Sequence, residues 1–148
     1  MPSSALPRRH LLLAASAAYF GLARPAKACE FFSSHLRIWH PWTRATRIDA
    51  ETAKLCLRFD EVQRTDRLIG VETPVAAGVR LAGPKGSQDL PLLIREGETL
   101  TLTEDGLHLE LLDLQQPLQI GRSYPLRLIF ESAEPVNATL NVDLGGLR

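Results

Sequence analysis

Methionine is almost absent. The 148-residue chain has one, Met1, so its body offers no thioether to a soft metal. Cysteine is scarce too: Cys29 and Cys56 stand far apart and make no C-x-x-C or C-x-x-x-C pair. Long apolar runs are also missing. The run from Leu11 to Ala23 has 13 residues, and a membrane span needs about 20, so no transmembrane span is expected. No charge of either sign is in excess, with 17 basic against 17 acidic side chains. That balance hides a gradient: Arg8, Arg9, Arg24 and Lys27 lie in the first 28 residues, which hold no acid, leaving 13 basic against 17 acidic groups in the remainder. A mildly acidic domain without a basic stripe is no partner for nucleic acid. Apart from a single turn around 74–78, no stretch of ten residues carries a helical period. Nor is there a nucleophile elbow, a phosphate-cradling glycine loop or an H-E-x-x-H motif. Ser33-Ser34-His35 lacks a third orienting group, so the chain does not read as an enzyme.

What is present begins with an address. Arg8-Arg9, the apolar run and Ala26-Lys27-Ala28 follow the order of a secretory signal peptide over residues 1–28, and the paired arginines resemble a twin-arginine signal. Export places the protein in the periplasm, an oxidising space where disulfides persist. Cleavage after Ala28 makes Cys29 the first residue of the exported chain. A lipid anchor on Cys29 is disfavoured, because Ala26 stands where a lipobox has leucine.

The remainder, residues 29–148, reads as short strands. Leu55, Leu57 and Phe59 alternate with Lys54, Cys56 and Arg58. The same period of two runs through Val79/Leu81, Leu100/Leu102, Leu107/Leu109/Leu111, Leu126/Leu128/Phe130 and Val136/Ala138/Leu140/Val142. Turn residues at 83–87, 95–98, 104–106 and 120–123 punctuate the pattern. The expectation is a single all-β domain, a sandwich or barrel, with Cys56 on the solvent face beside Lys54 and Arg58.

Four stretches, in order, resemble the periplasmic copper chaperone family PCuAC. They are His40-Pro41-Trp42-Thr43-Arg44-Ala45-Thr46; Asp66 to Ala76; Glu96 to Leu102 followed by Gly106-Leu107-His108-Leu109; and Pro117 to Gly121 before Leu126 to Phe130. The resemblance implies a cupredoxin-like β-sandwich or barrel and copper delivery to cytochrome oxidase, with a copper-accepting oxidase subunit or another copper chaperone as partner. It also implies a Cu(I) site of two His and two Met, and here the set is broken. Ala82 stands where the first His is implied, His108-Leu109-Glu110 replaces His-x-Met, and Ser87 to Leu93 contains no Met. His40, Pro41, Trp42, Arg44 and Asp66 belong to the implied structural signature, with Trp42 at the core edge and Arg44 paired to an acid such as Asp66.

Two residues apart on a strand, His108 and Glu110 point to the same side and offer half a metal site. A carboxylate in place of a thioether shifts preference toward Cu(II) or Zn(II); His35, Asp113 or Cys29 are candidates for a third ligand. Cys29 and Cys56 form a disulfide closing about 26 residues, worth roughly 3 kcal/mol, act as a copper-binding dithiol, or stay unpaired. His35, Trp39, His40 and Trp42 could form an aromatic contact surface. Two functions follow: a copper-chaperone-like protein with a degenerate or rebuilt site, or a metal-free interaction module on the same fold.

Overall fold

The computed structural model describes residues 29–144, and all regular structure within them is β. The strands are β1 (Glu30–Phe32), β2 (Arg37–Arg44), β3 (Thr52–Asp60), β4 (Asp66–Glu72), β5 (Ala76–Gly83), β6 (Gly86–Gln88), β7 (Leu92–Ile94), β8 (Leu100–Thr101), β9 (His108–Leu114), β10 (Ser123–Phe130) and β11 (Val136–Asp143). They form one curled sheet in the order β6-β5-β9-β3-β2-β11-β10-β4-β7, with β1 added to β2 and β8 to β3. The β11–β2 pairing is parallel. Alternation builds each layer: along β11, Val136, Ala138, Leu140 and Val142 are buried while Asn137, Thr139 and Asn141 are not.

Strand β3 belongs to both halves of the sheet. Thr52–Leu55 pairs with β9, whereas Arg58 and Phe59 pair with β8 on one edge and with β2 on the other. Its Leu55, Leu57 and Phe59 lie in the core cluster with Ile38, Leu109 and Leu128. Phe59 meets Phe130 edge-to-face, ring centroids 6.3 Å apart, the arrangement that ring quadrupoles favour.

Three expectations are corrected. Residues 74–78 form no helical turn: Thr73 bridges Ala76 across a tight Pro74-Val75 turn, and β5 starts at once. Gln115 donates to the Val75 carbonyl and holds that turn against the end of β9. Leu107 lies outside β9 and is 37% exposed, so it is not a core residue. Cys56 is 1% exposed rather than on a solvent face. It does alternate with the core residues, but Trp42 stands opposite it on β2, and the loop after β8 is tied beside it by bonds from Lys54 and Arg44 to Glu104.

Arg44 therefore pairs with Glu104 and not with Asp66. Asp66, 2% exposed, accepts backbone amides instead: Arg67 at 2.8 Å, and Ser132 and Ala133 at 2.9 Å each. It pins the start of β4 to the β10–β11 turn. Burial pushes its carboxyl up, but the amide bonds from Ser132, Ala133 and Arg67 outweigh that and hold it below the ordinary value. A carboxyl depressed in the folded state adds stability above its unfolded pKa, and that stability is lost as pH falls through the folded value. Asp66→Asn should cost about 2 kcal/mol at neutral pH, since amide donors then face an NH2 group. The gap to wild type in urea unfolding should shrink below about pH 4; a gap independent of pH would refute this account.

Candidate metal centre

Strands β6, β5 and β9 lie side by side in a register that sets Ser87 opposite Ala82 and Ala82 opposite His108. This row crosses the places where the resemblance implies ligands, with neighbouring Cβ atoms about 5 Å apart. Only His108 carries a ligand there. It is 6% exposed, and its Nδ1 lies 2.9 Å from the Gly106 carbonyl. A carbonyl only accepts, so Nδ1 carries the proton and Nε2 keeps its lone pair. A Cβ at position 106 would come within 2.7 Å of Thr103 Oγ1 and displace the hydroxyl that accepts the Gly106 amide. His108 borders a pocket of about 300 Å³ with Lys54, Gly83, Pro84 and Glu104.

Glu110 follows His108 two residues along β9, but its carboxylate is engaged. Arg80 donates to it from Nε and Nη2 at 3.2 Å each, and Lys54 stands opposite on β3. A carboxylate in a two-point guanidinium pair is not free to coordinate. Glu104 is held in the same way: Arg44 donates from Nε at 2.6 Å and Nη2 at 2.9 Å. Those hydrogen bonds keep the Glu104 carboxyl below its ordinary value. Of the suggested third ligands, Asp113 is five residues along β9 from His108, about 17 Å away in an extended strand. The His35 ring bonds with the Ser34 hydroxyl at 3.0 Å. Among the described residues, no three His, Cys, Asp or Glu side chains gather where they could hold a metal. Arg80 and Glu104, which decide what His108 can do, were missed in sequence because nothing local says that β5 and the β8–β9 loop neighbour β9.

Both cysteines are free. The His40 amide donates to the Cys29 carbonyl across one edge of β2, while Cys56 stands opposite Trp42 across the other. Two strand spacings separate them by about 10 Å, and a disulfide spans at most about 7 Å between Cα atoms. This corrects both the disulfide and the dithiol expectations. Burial, with help from Glu104, pushes the Cys56 thiol up to about 11, so it stays protonated and inert.

A bulge in β2 shapes the other histidine. Trp39 faces Arg58 and Trp42 faces Cys56, so His40 and Pro41 together oppose Leu57 alone. His40 takes up the extra residue with φ of 47°, a conformation that costs about 1–3 kcal/mol without glycine. Trp39 and Trp42 stay half-exposed, and the Arg58 guanidinium sits 4.4 Å over the Trp39 ring. Together with His40, Glu104 and Asp105 they border one groove, the expected aromatic surface without His35. His40 itself is 4% exposed, and neither ring nitrogen has a hydrogen-bond partner. Nε2 lies 3.5 Å from Asp143 Oδ2, beyond a good hydrogen bond. A buried polar group left unbonded costs about 1–3 kcal/mol.

The family profile described as lipoprotein LpqE-like matches residues 36–142. The chain belongs to the LpqE-like family. Among solved structures, the copper-bound PCuAC domain from PmoF2 superposes on this LpqE-like chain with a TM-score of 0.71 and 27% identity, over 77% of the chain and 97% of that domain. The apo PmoF2 domain gives 0.70 and 26%, covering 77% and 94%. The Cu(I) form of DR1885 from Deinococcus radiodurans gives 0.61 and 24%, covering 72% and 78%. No curated protein matches. The fold is thus the all-β, cupredoxin-like one of PCuAC domains, as the four quoted stretches imply. The first His of the implied set is one substitution away in this LpqE-like protein. Ala82→His would put a second imidazole directly opposite His108, raising Cu(I) affinity by about tenfold, or ~1.4 kcal/mol, in chelator competition. The gain should vanish in Ala82→His/His108→Ala; if it persists, the two positions do not share a site.

Proposed function

We propose that the protein is an exported copper-handling protein of chaperone type, working without the His/Met set. The observation that carries this is His108: on a fold shared with a copper-bound domain, it stands in the row where the resemblance implies ligands, with Nδ1 satisfied and Nε2 open. Copper is cargo here, and one imidazole beside a carboxylate that must first leave Arg80 makes a weak, readily emptied site. Such donors suit Cu(II) better than Cu(I). Export is supported by the signal-like segment 1–28, which lies outside the described residues, and by the lipoprotein description of the family. No helix among the described residues is long and apolar enough to cross a membrane. The acceptor under this reading is an oxidase subunit that takes copper, or another copper chaperone.

The bidentate Arg80–Glu110 pair favours a second reading, a metal-free interaction module on the same scaffold. Copper titration separates the two, run with Cu(II) in air and with Cu(I) under reducing conditions against a competing chelator. The first reading predicts stoichiometric copper, with Cu(II) binding falling about tenfold or more in His108→Ala. No binding above that of a surface histidine in either state would reject it and leave the interaction module.

A further inference from the structure

We propose that Cys29 and His40 form a two-coordinate Cu(I) site, with Asp143 steadying the far side of the imidazole. This rests on the copper-handling reading and supplies the soft ligand that His108 lacks. The His40 amide donates to the Cys29 carbonyl just beyond the Glu30–Trp39 pair, so Cys29 and His40 face each other one step past the end of the β1–β2 ladder. Opposed residues carry their Cβ atoms about 5 Å apart, close enough for a thiolate and an imidazole to share one ion. Cys29 is half-buried and unpaired; the His40 ring is buried with both nitrogens unbonded.

Asp143 comes from β11, the strand parallel to the end of β2, and its Oδ2 lies 3.5 Å from His40 Nε2. A metal-bound histidine commonly gives its second N–H to a carboxylate. Nε2–H toward Asp143 leaves the Nδ1 lone pair for copper. Bulges re-aim side chains beside functional sites, and this one carries His40 at a positive φ. Thiolate selects Cu(I), and two donors in line satisfy that ion, so the site needs no cluster of three ligands. Binding breaks the S–H bond of Cys29, forms S–Cu, and releases the proton to solvent; copper stays Cu(I) and nothing is oxidised.

The whole chain, loaded anaerobically with one equivalent of Cu(I), tests the site by X-ray absorption and chelator competition. One sulfur and one nitrogen are expected around copper. Cys29→Ser should remove the sulfur and weaken binding by about 100-fold, and Asp143→Asn should weaken it about tenfold. His40→Asn keeps a residue that tolerates positive φ, so it should fold and match the loss in Cys29→Ser. Cys56→Ser should keep the sulfur signal, assigning it to Cys29. Copper bound without sulfur, or at wild-type affinity in Cys29→Ser, overturns this site and leaves the copper-handling reading standing. No copper bound in either oxidation state overturns both.

Discussion

The ladders on both edges of β3 are interrupted at Leu57, and the placing of both buried histidines depends on that break. On one edge, pairing with β9 ends at Leu55 opposite Leu109, and β8 takes over at Arg58 opposite Thr101. On the other edge, β2 inserts His40 and Pro41 against Leu57. The apolar face stays continuous through Leu55, Leu57 and Phe59 while the partners change. A strand that twists and serves two partner strands in turn can close a curled sheet without leaving its core side open.

The chemistry of both histidines descends from that point. Where β9 leaves β3, the loop from Leu102 to Gly106 crosses the outer face of β3, and Lys54 and Arg44 hold it at Glu104. That brings the Gly106 carbonyl to His108 and fixes its tautomer. Where β2 bulges, His40 turns into the left-handed region and its ring is buried without a bond. One imidazole is oriented and half-satisfied; the other has no satisfied nitrogen and a carboxylate just out of range.

Alternation made the strands legible: β3, β10 and β11 lie where the period of two marks them. Alternation reports the two faces of a strand, not what covers them, and so Cys56 read as exposed although Trp42 and the Glu104 loop close over it. The same gap explains the ion pairs. Glu110 reads as a free ligand until β5 is known to lie beside β9 with Arg80 opposite it, and Arg44 meets Glu104 only through a contact sixty residues away in sequence. For the cysteines, chain separation gives a loop length but not a register, and register sets β2 between them. Ala82 and His108, by contrast, are named by the resemblance alone and fall opposite each other in space.

The row Ser87–Ala82–His108 is made by backbone pairing, which does not depend on what the side chains bind. Side chains along it can therefore change while the sheet stays intact, and Arg80 neutralises Glu110 beside it. The resemblance names the row, and likeness of fold says nothing about its donors. With Met1 as the sole methionine, the soft donors left in the domain are two thiols. Burial holds one of them, Cys56, protonated up to about 11. Thiolate ligation of Cu(I) in this domain would therefore fall to Cys29, and the imidazole opposite Cys29 is the one the fold has left unbonded.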